Sequence, residues 1–364
     1  MIEYCQGNIL ESEAEALVNT VNTYGVMGKG IAMQFQRAFP DMAKEYAKAC
    51  KRGEVVVGKM HVWKNAMFGL PKFIINFPTK QHWCNPSKME YIRAGLQDLI
   101  AIIQSNQIRS IAIPPLGCGL GGLDWSKVKK EIQDIFYPCT EVHVFLYEPA
   151  GTPAPEMMII RTPSPSLTPA TANLIRIIHQ YTELENELRL LEVQKLVYFF
   201  QVAGHPFRLN FQKEKYGPYA NDLRHVLNRL EGHYIRGSGA GDTRPHTQIR
   251  LLPGAIQKVN EYFESNAEPE SQQQADRVKK LIYGFESPYG MELLASVHWV
   301  TTVPESGRIA RTVEEAIIAI QSWNARKKRV MEPEHITMAW NRLRIEGWIP
   351  AITSCEEAKT VYAP

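Results

Sequence analysis

Lys80 ends the run Phe73-Ile-Ile-Asn-Phe-Pro-Thr-Lys80, and Gln-His-Trp83 follows it. A lysine amine is a poor nucleophile while protonated and solvated. When its ammonium is partly stripped of water, its pKa falls, and it can then attack a sugar aldehyde or shuttle a proton. Two glycine-dense stretches could hold the partner of such chemistry. Val18 to Ala32 (VNTVNTYGVMGKGIA) contains Gly25, Gly28 and Gly30, and Pro114 to Trp125 (PPLGCGLGGLDW) contains Gly117, Gly119, Gly121 and Gly122. Glycines let the main chain approach a phosphate closely, so its N–H groups can cradle a diphosphate without a side-chain cation. Each feature also has a plainer reading. Glycine-rich stretches form tight turns that bind nothing, and most lysines are solvated surface charges.

The elements around these residues favour the chemical reading. Short β-rich runs at 16–20, 59–63, 73–77, 110–113 and 141–147 alternate with helical patterns at 31–39, 89–104 and 125–136, which predicts an α/β layered domain. Each glycine loop then follows a strand and leads into a helix, and Lys80 comes immediately after a strand at the same sheet edge. In open α/β sheets ligands sit beyond the carboxyl ends of the strands, where helix N-termini offer free N–H groups. Two such loops suggest one extended diphosphate ligand held from both sides. The spacing is not GxGxxG with a later acidic residue, and GKG lacks the Lys-Ser/Thr pair of a P-loop, so nicotinamide and nucleoside-triphosphate chemistry are disfavoured.

Composition sets the outer limits. The 364 residues are 45% hydrophobic and 22% charged, enough for two globular cores. Lys and Arg total 41 against 38 Asp and Glu, nearly balanced in both halves, so neither half reads as a basic nucleic-acid glove. The run 151–170 (GTPAPEMMIIRTPSPSLTPA) reads as a linker between domains at 1–150 and 171–364. Beyond it, helical periodicity dominates at 183–200, 218–230, 253–264, 275–285 and 314–323. No apolar run is long enough to span a bilayer, and MIEYCQGNILESE is too acidic and interrupted for a signal peptide, so a cytoplasmic protein without membrane contact is expected. The 6 cysteines show no CxxC pair and no metal-ligand spacing, so they are expected to be reduced thiols, mostly packing, with no metal and no cofactor.

The segments Gly7-Asn-Ile-Leu10, VNTVNTYGVMGKGIA and IPPLGCGLGG resemble the three ligand-binding segments of the macrodomain family, an α/β/α module with a mixed sheet that binds ADP-ribose. The resemblance implies that Asn8 and Ile9 lie near the adenine, Asn22, Gly28, Gly30 and Ile31 near the distal ribose, and Leu116, Gly117, Cys118, Gly119, Leu120, Gly121 and Gly122 around the diphosphate. Many macrodomains carry Asp where Asn8 stands; an Asn carbonyl can still accept from the adenine amino group, without charge assistance. The NFPTK segment, with Thr79 and Lys80, is similar to the subgroup that removes ADP-ribose through a catalytic lysine. Some members add an aspartate in the GCGL loop, where this chain has Gly121. Asp124 is not given that role and is expected to cap the helix near Trp125. His82 is a candidate helper and Trp83 a candidate nucleobase stacker.

In the second half, LEVQKLVYFF (191–200) and KYGPYA (215–220) resemble a helical antitoxin domain of bacterial toxin–antitoxin pairs. The same residues also make sense as core apolar positions beside a turn. The combination of the two halves resembles the DarG antitoxin family. That implies an enzyme removing ADP-ribose from thymidine in single-stranded DNA, with a mainly helical second domain that binds a DarT-type toxin. A non-catalytic ADP-ribose reader and a hydrolase of protein-linked ADP-ribose are the alternatives.

Overall fold

The computed structural model describes residues 1–66, 69–149, 157–183, 187–238, 244–266, 269–304 and 308–350. The chain divides into two compact units, Met1–Pro163 and Ser164–Pro364. The first is built on one sheet of six strands, β1 (Ile2–Cys5), β2 (Ala16–Asn22), β3 (His61–Lys64), β4 (Phe73–Lys80), β5 (Ser110–Ile113) and β6 (His143–Tyr147). Their spatial order is β1-β6-β5-β2-β4-β3. All neighbours are parallel except β3, which runs antiparallel to β4.

Side chains alternate across the pleat, so each strand feeds two cores. Ala16, Val18, Ile75, Phe77, Ile111, Ile113, Val144 and Leu146 face α3 (Met89–Ser105) and α4 (Trp125–Phe136). Leu17, Val21, Ile74 and Ala112 face α1 (Gly30–Ala38) and α2 (Pro40–Lys51). A sheet covered on both faces explains why β2 (ALVNTVN) is buried along nearly its whole length. Gly95 brings α3 against β4: a Cβ there would lie 2.3 Å from the Phe77 ring.

Strand β4 runs on to Lys80, so the lysine is the last strand residue rather than the first loop residue. The β2–β4 ladder shifts register between Val21 and Asn22, opposite Pro78, which has no N–H to give. That slip sets Asn22 against Lys80.

The Pro-rich stretch is less of a free spacer than its composition suggests. Residues 151–156 lie outside the described residues. Met158 is buried, and the Arg161 N–H donates to Arg37 O at 2.9 Å within the first unit. Tyr234 donates to Pro165 O at 2.9 Å within the second unit, whose first helix already starts at Pro169 with Thr168 as its cap.

The second unit contains α5 (Pro169–Thr182), α6 (Leu190–Val202), β7 (Phe211–Glu214), β8 (Gly217–Ala220), α7 (Leu223–Leu230), β9 (Ile235–Arg236), β10 (Arg250–Leu251), α8 (Ala255–Ser265), α9 (Pro269–Ile282), α10 (Pro288–Thr302), α11 (Val313–Trp323), α12 (Ala325–Val330) and α13 (Pro333–Ile345). It is mainly helical, as expected, but 218–220 form a strand of the β7–β8 hairpin and the helix begins only at Leu223. Helices α6 and α10 form the centre of its core and are buried on almost every side.

Candidate active site

Lys80 is 9% exposed, and its Nζ donates to the carbonyl of Leu120 at 3.0 Å. Burial strips water from the ammonium and lowers its pKa below the ordinary lysine range; the nearby Cys84 partly offsets this. The amine therefore sits where the ends of β2 and β4 meet the second glycine loop. Cys118, the loop's own potential nucleophile, is in the opposite state: burial, helped by the charge of Asp124, pushes its thiol up to about 11, so it is not a thiolate at neutral pH.

The loop 116–122 separates side chains from backbone. Leu116 is fully buried core, so only its main chain can meet a ligand. The N–H groups of Cys118, Gly122 and Leu123 close turns onto Pro115, Gly119 and Gly117. Those of Gly119, Leu120 and Gly121 have no acceptor among the described residues and are available to an anion. Of the loop's N–H groups, the expected cradle thus loses Cys118 and Gly122. Gly121 is required sterically, since a Cβ there would lie 2.2 Å from Ser87 Oγ and 2.3 Å from Gly117 O. Ser87 binds the loop in return, its N–H donating to Gly121 O at 2.9 Å, while its hydroxyl is buried without a partner.

The first glycine loop is braced from beneath. Asn22 Oδ1 accepts from the N–H groups of Tyr24 (2.9 Å) and Val26 (3.4 Å), and its Nδ2 donates to Val26 O at 2.7 Å. Tyr46 of α2 donates to the Asn22 carbonyl. The Asn22 side chain thus shapes the loop instead of projecting from it. The loop passes through Gly28 and Gly30 into α1, whose N-cap Lys29 makes no side-chain cap bond, leaving the first N–H groups of the helix, with Ile31 among them, open at the cleft. Gly30 approaches Leu120: a Cβ there would meet Leu120 Cδ1 at 3.9 Å.

Other expected residues fall into place unevenly. Thr79 is buried with its hydroxyl turned to Val21 O at 3.4 Å, so its side chain faces inward. Asn8 caps a short 3-10 turn (Ile9–Glu11): its Oδ1 accepts from Leu10 N–H at 3.1 Å and its Nδ2 reaches Glu11 and Met157 O, both at 3.2 Å. One Oδ1 lone pair remains. Ile9 is buried in the same cluster as Val21 and Met27. Asp124 caps α4, accepting from Ser126 N–H at 2.9 Å, as its position suggested. Cys84 is exposed, with its Sγ 2.8 Å from His82 Nδ1. Among the described residues no group of three His, Cys, Asp or Glu could hold a metal ion, and no helix is long and apolar enough to cross a membrane.

The Macro domain family matches residues 18–132. Over 347 residues the chain is 44% identical to a DNA ADP-ribosyl glycohydrolase of Thermus aquaticus, covering 95% of this chain and 94% of that protein. The chain belongs to the DarG family of macrodomain proteins. A solved macrodomain of Mycobacterium tuberculosis DarG is 53% identical, covering 41% of this chain and 99% of that one with a TM-score of 0.41. A Thermosipho africanus DNA ADP-ribosyl transferase–DNA ADP-ribosyl glycohydrolase fusion protein is 33% identical over 170 residues, 42% of this chain and 43% of its own.

In this DarG-family chain, the two short motifs of the second unit turn out to be partners. Gln194 of α6 pairs with the backbone of Ala220 twice, accepting its N–H at 3.0 Å and donating to its carbonyl at 3.1 Å. Lys195 donates to Pro218 O at 2.6 Å. The QK of one motif therefore grips the GPYA of the other. Beneath them Glu292 of α10 takes Lys327 and Arg326, both at 2.7 Å, and Lys327 also donates to Ser296 at 2.8 Å. Sequence spacing did not announce this charge cluster, because its members come from α10 and α12.

Proposed function

We propose that the chain removes ADP-ribose from thymidine bases in single-stranded DNA and restrains the transferase that writes this mark through its second unit. The observation that carries the hydrolase reading is the desolvated Lys80 amine at the junction of two loops whose free N–H groups suit a diphosphate. The neutral amine attacks the anomeric carbon of the distal ribose. The bond from that carbon to the base nitrogen breaks, and its electron pair leaves with the base, which takes up a proton. Water then hydrolyses the lysine adduct, which restores the amine and frees ADP-ribose. Asn8 and Ile9 at the adenine end, and Gly119, Leu120 and Gly121 at the diphosphate, supply ground-state affinity.

Family membership supports DNA as the carrier. The Thermosipho fusion, in which a transferase and a glycohydrolase share one chain, supports the transferase as partner. The test is to incubate the protein with thymidine-ADP-ribosylated single-stranded DNA and, separately, with glutamate-ADP-ribosylated protein. Release of ADP-ribose from the DNA alone is expected. Release only from protein would redirect the assignment, and tight binding without release would leave a reader. Independently, a Lys80→Ala full chain is expected to co-purify with the transferase and block its DNA modification; failure of both would remove the partner assignment and leave the hydrolase standing.

A further inference from the structure

Beside Lys80 lies an aromatic cluster that binding of ADP-ribose leaves unexplained. Trp83 is 53% exposed and Tyr24 64% exposed, and the two lie close together on either side of one histidine. His82 stands between them, its ring centroid 4.8 Å from Tyr24 in an edge-on contact and 5.0 Å from Trp83 in a tilted one. The three rings form a short ladder on the protein surface.

The ladder is held in place. His82 is fixed by Cys84, whose Sγ lies 2.8 Å from Nδ1, and the Cys84 N–H reaches the same nitrogen at 3.4 Å. Tyr24 follows Thr23, whose N–H donates to Lys80 O (3.2 Å) and Gln81 O (3.0 Å), and whose hydroxyl also donates to Gln81 O at 3.0 Å. The rings are therefore pinned to the backbone of the residue that carries the reactive amine. Lys29, exposed at the head of α1, has no acidic partner among the described residues and adds a positive charge at the end of the same glycine loop that carries Tyr24.

ADP-ribose has one aromatic ring, the adenine, and it belongs at the far end of the ligand, by Asn8 and Ile9. Past the anomeric carbon there is only the leaving group and whatever is attached to it. We infer that Tyr24, His82 and Trp83 form a stacking platform for the bases of a single DNA strand next to the modified thymidine. Stacking is tolerant of sequence because every base has a π face, and it requires unpaired bases, so the platform selects single strands over duplex without reading a sequence. The lysine charge suits the phosphates between those bases. This inference rests on the proposed DNA glycohydrolase reading, and Trp83 acts in it by positioning substrate.

The experiment compares two substrates for the full chain: ADP-ribosylated thymidine within a single-stranded oligonucleotide, and ADP-ribosylated thymidine as the free nucleoside. Trp83→Ala is expected to raise KM for the oligonucleotide about tenfold, the factor that loss of one stacked base gives, with kcat little changed. The nucleoside should be cleaved at nearly the wild-type rate, Trp83→Phe should recover most of the loss, and calorimetry with free ADP-ribose should report an intact pocket. Equal losses on both substrates, or an unchanged oligonucleotide KM, would overturn the platform. Should the wild-type protein cleave neither substrate, the hydrolase reading fails on its own. Fluorescence anisotropy with an unmodified single-stranded oligonucleotide then decides the platform, since binding that is indifferent to Tyr24→Ala plus Trp83→Ala removes it.

Discussion

Lys80 Nζ rests on the carbonyl of Leu120 at 3.0 Å, and seven residues further on the Ser87 N–H donates to the carbonyl of Gly121 at 2.9 Å. Consecutive carbonyls of the glycine loop are thus each held by the segment that carries the amine. The Lys80 amine and the glycine loop form one assembly, and a change in either is felt by the other.

On the proposed mechanism, in which the amine acts on the anomeric carbon and the loops hold the rest, Lys80→Ala is expected to abolish release of ADP-ribose while leaving the affinity for free ADP-ribose within a few-fold. Lys80→Arg should be equally inactive, since guanidinium does not deprotonate. Single-turnover assays and calorimetry on the same preparations separate the two effects.

The pH profile follows from the direction of the Lys80 shift. Burial lowers its pKa below the ordinary lysine value, so the neutral, nucleophilic amine persists to lower pH than a solvated lysine allows. The single-turnover rate should rise with pH and level off below the usual lysine range. A rate still climbing through pH 10 would argue that the amine is solvated during turnover.

Two neighbouring glycines should respond differently. At Gly119 a Cβ meets nothing within 4 Å, so Gly119→Glu should keep the wild-type melting temperature and lose ADP-ribose affinity by adding bulk and like charge. At Gly121 the Cβ collides with Ser87 and the Gly117 carbonyl, so Gly121→Ala should lower the melting temperature of the first unit and impair binding together. Thermal melts paired with calorimetry check both.

In the second unit, Gln194→Ala removes a paired amide and leaves the buried N–H and C=O of Ala220 without partners, which should cost about 2 kcal/mol or more. Denaturant unfolding of the full chain should show the loss in the transition of the second unit, with glycohydrolase activity intact.

Lys195 gives that unit a pH signature. Burial, with the charge of Lys327, lowers its pKa to about 7, while Glu292 opposes the shift. Unfolded, the same amine titrates near the ordinary lysine value, so between the two the unfolded chain binds the extra proton and stability rises with pH. Calorimetry should find the second unit more stable at pH 9 than at pH 6.5, and Lys195→Met should flatten the slope.

The sequence announced what depended on local pattern. Strands β2 to β6, the two glycine loops and Lys80 beside them were legible because apolar runs, glycine spacing and strand-to-helix order are local properties; β1 and α2 were not picked out. The helix α10 was not among the segments that periodicity picked out, since a helix buried all round carries no polar stripe to betray its period. Strand β4 overran its expected end because the register slip opposite Pro78 depends on β2, a partner 50 or more residues away in sequence. The inward turn of Thr79 and the bracing role of Asn22 also needed the fold, since both choose main-chain partners that sequence spacing does not name.

The grip of Gln194 and Lys195 on β8 also closes a border. On the side of β8 away from β7, Ala220 presents an N–H and a carbonyl, and Pro218 presents a carbonyl and, being proline, no N–H. Gln194 satisfies the first two and Lys195 the third, so two helical side chains stand in for a third strand. A two-stranded ribbon ordinarily leaves an open flank on which a passing chain can zip up, with aggregation as the penalty. Here that flank of β8 offers nothing to pair with, and a chain that meets it can do so only through side chains, not by adding a strand.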